Sequence, residues 1–376
     1  MSNSWSWNPF GNSNIETNLD IEYLKSEVGK HFPIYDTKYN ANTAAFFCRI
    51  DKETLDEKFD SLRKTLSDKG FIPMLRFDKG EYIVYIIKKP KVKRRPVWIN
   101  YLLFVATIFT TTLAGSLQWV GINEAEISEI ISPSYLLNGF IFFSIPLLAI
   151  LGIHEMGHYY ISKRHELDTS LPFFIPLPPP FILGTFGAII STREPIPNRK
   201  TLLDVGVAGP LCGFIVAILV CIAGLFLMQQ SPIIISSTEE GIIIIYPLLL
   251  QGLNSFFSIP SDAIMHPTLF AGWVGLFLTS INLLPVGQLD GGHIARALLK
   301  DKHKYASWTV VILIMGAGLF ITGFFILAIL ILFLIGTQHS PPLNELTPLD
   351  TKRILIGILA IIVFILTFAP FPLATT

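Results

Sequence analysis

The chain has 376 residues, 51% of them hydrophobic and only 15% charged, with a mean hydropathy of +0.55, which is too apolar for a protein whose sole solvent is water. Its 28 basic and 28 acidic residues cancel, which argues against a nucleic-acid binder, because counterion release needs a basic surface. Three cysteines cannot build a disulfide framework or a cysteine-ligated zinc site.

More than half of the Lys and Arg fall in the first 100 residues, so a modest polar domain precedes a large apolar one. Residues 1–40 open with SNSWSWNPFGNSN and lack the basic and apolar regions of a cleavable signal peptide; a flexible stretch with a short helix at 19–30 is expected there. Residues 41–90 read as a small cytoplasmic α+β module. Ala44–Ile50 has strand character, Lys52–Lys69 is an amphipathic helix closed by Gly70, and Phe71–Phe77 is a second strand. Asp78-Lys79-Gly80 then turns into a third, Tyr82–Ile87. No catalytic constellation lies here, and Cys48 and His31 read as structural or surface residues. The basic run Lys88–Arg95 abuts an apolar span and reads as a juxtamembrane anchor.

Residues 91–376 read as a membrane-embedded domain. Apolar runs long enough to cross ~30 Å of hydrocarbon as helices lie at Val97–Trp119, Leu136–Ile161, Leu202–Met228, Leu269–Val286, Trp308–Thr337 and Ile354–Phe371. The fifth is too long for one span and is interrupted by Gly316, Gly318 and Gly323, so two short helices are expected. The stretch 241–259 is apolar but broken by Pro247, Gln251, Gly252 and Asn254. If it lies along the far interface, the loops with Lys163/Arg164, Arg193/Arg199/Lys200, Arg296/Lys300/Lys302/Lys304 and Lys352/Arg353 all collect on the cytoplasmic side. Glu124, Glu126, Glu129, Glu239, Glu240 and Asp262 then fall outside. The fold class expected is therefore a polytopic α-helical membrane protein of about seven spans, its amino terminus cytoplasmic, carrying a small N-terminal α+β domain.

Leu171–Ile190, between the second and third spans, holds too many prolines for a helix. A re-entrant loop or hairpin buried in protein is expected, entered from the cytoplasmic side, and its backbone could pair with an extended substrate. On the third span, Gly206, Gly209 and Gly213 make a small-residue face suited to close helix packing. Cys212 and Cys221 read as packing residues.

Three ionisable side chains, His154, Glu155 and His158, sit inside the second span, where each is costly without a partner. His154 and His158 project from one helix face and can grip one cation, with Glu155 about 100° round the helix; this is the H-E-x-x-H zinc arrangement, its Glu a general base. A catalytic zinc usually has three protein ligands. Glu166 and Asp168 follow past Lys163 and Arg164 in a loop, and Asp204 is expected to help cap the third span. Asp290, in Asn282-Leu-Leu-Pro-Val-Gly-Gln-Leu-Asp290-Gly-Gly, reaches the same membrane side and a similar depth as His154. His165 misses the metzincin spacing, and His266, His303 and His339 read as interfacial. For His293, three residues after Asp290, a role beside the metal or substrate stays open.

With HEMGH at 154–158 and NLLPVGQLDGG at 282–292, the sequence resembles the site-2 protease family of membrane-embedded zinc metalloproteases. The likeness runs through Gly184-Thr-Phe-Gly187 and Ala208-Gly209-Pro210 and covers roughly residues 97–372. It implies that His154, His158 and Asp290 ligate Zn2+, that Glu155 is the catalytic base, and that Asn282, with Gly184 and Gly187, binds substrate. The implied activity is hydrolysis of peptide bonds in or near the transmembrane segments of membrane protein substrates, at a site opening to the cytoplasm. In place of PDZ or CBS domains stands the N-terminal module, as in the branch shared by plastids and prokaryotes. A silent scaffold of the same fold would be expected to have lost Glu155 or a ligand, and a metal-dependent transporter usually shows repeated halves; neither feature is present.

Overall fold

The computed structural model describes residues 19–90, 95–234, 242–260, 263–319, 322–369 and 373–375. The first 18 residues, the 91–94 part of the basic run, and Glu239, Glu240 and Asp262 of the far-side acidic set lie outside the described residues. Two compact units emerge. Of the described residues, the first comprises 19–90 together with 195–202 and 341–349, and the second holds the rest.

In the first unit, Asp20 caps α1 (Ile21–His31) by accepting the Tyr23 N–H, and Leu24 and Val28 form its buried stripe. β1 (Ile34–Tyr39) and β2 (Thr43–Cys48) follow. Next come α2 (Leu55–Asp68), β3 (Phe71–Asp78) and β4 (Glu81–Lys88). The strands form one antiparallel sheet in the order β1-β2-β4-β3. Leu55, Phe59, Leu62 and Leu66 of α2 line one helix face and pack with Phe46, Leu75, Val84 and Ile86. The β3–β4 turn puts Lys79 at φ 48° and Gly80 at φ 88°, the left-handed pair that a two-residue hairpin with the native strand twist requires. The strand at 34–39, in a stretch expected to be flexible, is an addition to the sequence reading. It is an edge strand carrying Asp36, Thr37 and Lys38, so no apolar alternation announces it.

The two later segments of this unit complete it. Leu343 enters the core, and its carbonyl accepts the Leu75 N–H at 2.8 Å. Segment 341–349 is held to 195–202 by Leu343 N–H to Ile196 O and Asn344 N–H to Pro197 O. Asp56 of α2 accepts from Thr347 Oγ1 at 2.8 Å and from Asn344 Nδ2 and Lys200 Nζ, each at 3.3 Å.

The second unit is helical. Its first helix is α3 (Trp98–Ile122); Pro133–Arg164 is a second long helix, made of α4 (Pro133–Gly139), a π turn and α5 (Ile145–Arg164). β5 (Phe173–Pro176) and β6 (Thr185–Ile189) form an antiparallel hairpin, and α6 (Arg199–Gln230) is the third long helix, reaching into this unit from Leu203 onward. These three helices are long and apolar enough to cross a membrane. β7 (Ile242–Ile244) and α7 (Leu248–Asn254) occupy the ambiguous stretch. Seven helical residues span about 10 Å, so α7 does not cross. Then come α8 (Pro267–Asn282), α9 (Asp290–Leu299), α10 (His303–Ala317), α11 (Thr322–Leu330) and α12 (Thr351–Thr367); β8 (Leu373–Thr375) pairs with β7. The 308–337 run is indeed divided, into α10 and α11. Helices α8 and α12, of 16 and 17 residues, are shorter than the expected spans.

Small residues let these helices approach closely. A β-carbon at Gly224 would lie 2.5 Å from the Leu269 backbone, and one at Gly272 would lie 2.7 Å from Cys221 Sγ, which is the packing role expected of that cysteine. Val105, Phe109, Leu219, Ile361 and Ile362 stay exposed on the outer faces, an arrangement suited to lipid.

The expected hairpin is stapled to α3. Asn100 Nδ2 donates to the carbonyls of Leu171 and Pro172, and Thr110 Oγ1 donates to Gly184 O at 2.6 Å. Asp204 does not cap α6. The helix starts at Arg199, Asn198 accepts the Thr201 N–H, and Asp204, a turn further on, binds His165 and Arg353 instead.

Candidate metal centre

One face of α5 carries His154 and His158, four residues apart, and both are buried. Asp290 reaches them from the first turn of α9. Helix α8 stops at Asn282, ahead of Pro285, and the connection folds back tightly. A β-carbon at Gly291 would sit 2.1 Å from Leu283 O, and one at Gly292 would sit 2.2 Å from Gly287 O. The paired glycines after Asp290 are therefore what permits this loop to close on the helix.

The donor atoms converge. His154 Nε2 and His158 Nε2 are 3.1 Å apart, and Asp290 offers Oδ2 to the first at 3.4 Å and Oδ1 to the second at 3.3 Å. A tetrahedral cation with ligand bonds of about 2.0–2.1 Å would set its ligands about 3.3–3.4 Å apart. His158 Nδ1 donates to the Val205 carbonyl at 2.8 Å, which leaves its Nε2 lone pair directed at the cluster. Three lone-pair donors at this spacing fit zinc, and these three residues are the one group of metal-binding side chains found among the described residues.

The face of α6 opposite is cut to match. A β-carbon at Gly206 would lie 2.8 Å from His293 Cβ, one at Gly209 only 2.0 Å from His158 Nε2, and one at Gly213 3.1 Å from His154. The small-residue face packs, as expected, but its partners are the histidines themselves. Nothing in the sequence linked that glycine spacing to the metal, and a backbone carbonyl such as that of Val205 leaves no residue-type signal.

A cavity of about 230 Å³ opens beside the donors, lined by His154, Glu155, His158, Asn282, Asp290 and His293, with Ala188, Ile189, Ile190 and Thr192 along one wall. Asn282 Nδ2 lies 3.5 Å from His154 Nε2. Glu155 is buried against the backbone of Ile190. The wall is β6 and its continuation, and among the described residues β6 pairs only with β5, so its other edge is open. Gly184 and Gly187 are not among the lining residues. Gly184, at φ 68°, is pressed against α3, where a β-carbon would meet Thr110 O at 2.4 Å. It shapes the turn of the hairpin, where its carbonyl accepts the Leu177 N–H.

The three histidines expected at interfaces are buried. His266 accepts the Thr268 N–H as the cap of α8, while His303, the first residue of α10, meets His339 edge to face with ring centroids 6.1 Å apart. His339 contacts His293 directly.

The sequence profile described as "Peptidase family M50" matches residues 142–324, the stretch that contains both motifs. Among known proteins, the chain is 32% identical over 235 residues to "Probable zinc metalloprotease EGY2, chloroplastic" of Arabidopsis thaliana, covering 60% of this chain and 41% of that one. It is 29% identical over 293 residues to the EGY1 protein of the same description from Oryza sativa subsp. japonica, covering 72% and 50%. The Arabidopsis EGY1 protein is 31% identical over 252 residues, covering 62% and 44%. The chain thus spans half or less of the length of these relatives. The matched profile covers just under half of the chain and encloses the two motifs whose side chains meet at the donor cluster, so this stretch is similar to the peptidases of family M50.

Proposed function

We propose that the chain is a zinc-dependent endopeptidase that hydrolyses peptide bonds in or near transmembrane segments of membrane proteins. The observation that carries this reading is the meeting of three metal donors with a buried carboxylate and an open strand edge inside an apolar helical unit. His154, His158 and Asp290 would hold the ion, which supplies Lewis acidity toward the peptide carbonyl. Glu155, against the same cavity, takes the proton of the attacking water and passes it to the departing amine. Asn282 directs its amide N–H groups toward the carbonyl side of the substrate. The backbone of 188–192 pairs with the substrate as an added strand, which replaces the hydrogen bonds lost when a substrate helix unwinds.

The topology that supports this reading has seven crossings, with α8, α10, α11 and α12 as short spans beside the three long helices and 241–259 at the far interface. It keeps the basic loops, the donor cluster and the amino terminus on one side, the cytoplasmic one in the positive-inside sense. Residues 41–90, with the preceding helix and strand, form the soluble domain, and the partners are transmembrane segments and the bilayer itself.

The test is cleavage of a reporter transmembrane peptide by the purified full chain, with Glu155→Gln as comparison. Cleavage by the wild type and none by Glu155→Gln at equal zinc content supports the assignment. Equal cleavage by both would remove Glu155 from the chemistry.

A further inference from the structure

His293 has no part in the mechanism above, yet it lines the same cavity as the metal donors and Glu155. Its ring is held from outside the cavity. His339 Nδ1 lies 2.6 Å from the carbonyl oxygen of Ser340, and since a carbonyl only accepts, that nitrogen carries the hydrogen. On its other edge, His339 Nε2 meets His293 Nδ1, with the two rings nearly perpendicular at 81°. Neutral His339 therefore accepts, His293 donates from Nδ1, and the Nε2 of a neutral His293 is left bare. Burial favours neutrality in both rings, lowering His339 to about 3 and His293 to about 4. Gly206 leaves room for His293, since a β-carbon there would lie 2.8 Å from His293 Cβ.

A peptide added along β6 exposes this cavity to a specific need. Successive N–H groups of a strand point to alternate edges, so β6 can serve only half of them. An N–H facing away from β6 needs an acceptor from the other residues lining the cavity, which include Asn282, Gln288 and His293, because an unpaired N–H in an apolar setting keeps its full desolvation cost. We propose that His293 accepts a main-chain N–H of the substrate through Nε2, and that His339 is the positioning residue that fixes the tautomer for this task. The proposal rests on the protease reading.

The experiment measures cleavage kinetics and zinc content of the full chain carrying His293→Ala, His339→Leu, His339→Gln, or His293→Ala with His339→Leu. Loss of one hydrogen bond to a buried N–H predicts a KM about tenfold higher for His293→Ala, with kcat within about threefold and zinc unchanged. His339→Leu should raise KM less, His339→Gln should restore it because its amide oxygen still accepts from His293, and the double variant should be no worse than His293→Ala. Ester-for-amide replacement at single positions around the cut site adds an independent reading. One position should weaken wild-type binding and have no effect on His293→Ala. Loss of zinc in His293→Ala, identical kinetics in His339→Leu and wild type, or no such ester position would overturn the proposal. A wild type that neither holds zinc nor cleaves would overturn the protease reading as well, whereas an active wild type with indifferent variants overturns this proposal alone.

Discussion

A β-carbon at Gly209 would stand 2.0 Å from Nε2 of His158, the atom that faces the other donors. The obstruction is an imidazole held on its far side by Val205, so it cannot swing away without breaking a buried hydrogen bond. Gly209→Ala should therefore cost metal affinity beyond the roughly 10–100-fold typical of disturbing a ligand's hydrogen-bond partner, read as zinc per chain after dialysis against a weak chelator. Gly252→Ala on α7, where a β-carbon meets nothing within 4 Å, serves as the control and should retain zinc fully. Equal zinc in both variants would mean that the α5–α6 contact is looser than described.

Metal retention and catalysis should separate between Asp290 and Glu155. Asp290 contributes an oxygen within 3.4 Å of each histidine nitrogen, whereas Glu155 is absent from the donor set. Wild type should hold about one zinc per chain, as a three-ligand catalytic site does. Asp290→Ala should release it, and Glu155→Gln should keep it while losing turnover. Chelation should lower the melting temperature of wild type and leave that of Asp290→Ala unchanged, because an ion that binds only the folded state stabilises it by mass action. Full occupancy in His154→Ala/His158→Ala would exclude this cluster as the site.

Much of this centre was legible in the sequence because ionisable residues in an apolar helix need a reason to be there. His154, Glu155 and His158 announce themselves by cost, and Asp290 by its place beyond a broken span. What was not legible came from tertiary contacts between residues of ordinary type. The tautomer set by the Val205 carbonyl, the pairing of His293 with His339, and the fit of Gly209 to His158 all depend on which helix faces which. The strand at 34–39 was hidden for a different reason, since an edge strand with polar residues lacks the period-two signal. Gly184 carries a demand its motif did not display: a φ of 68° and a β-carbon position that would meet the Thr110 backbone.

In the first unit, Cys48 lies in the core, and burial pushes its thiol up to about 12. At pH 8 its thiolate fraction is then on the order of one in ten thousand, and only the thiolate attacks an alkylating reagent. Site-resolved mass spectrometry after brief maleimide treatment should find Cys48 unmodified in the native chain and modified once the unit is unfolded in urea. Because the folded value is raised above the ordinary one near 9.0, the contribution to stability is complete below pH 9 and is lost as pH rises toward 12. Rapid native labelling at pH 8 would show that this core opens readily.

The open edge of β6 gives the last prediction. Ala188 pairs with Phe174 and Ile189 with Phe173 in the hairpin, so of these two neighbours one directs its N–H toward β5 and the other away from it. Proline at either position removes an N–H without changing charge. At the residue facing β5, the substitution should loosen the hairpin and lower thermal stability. At the residue facing the cavity, it should leave stability and zinc content intact and cut turnover, because the substrate strand loses a partner it cannot replace in apolar surroundings. Substrates with Gly, Pro or Asn near the cut site should be cleaved faster than Leu-rich ones, since their helices unwind at lower cost. If both proline variants turn over substrate at the wild-type rate, and rigid and helix-broken substrates are cleaved equally, the substrate is not held by strand pairing at this edge.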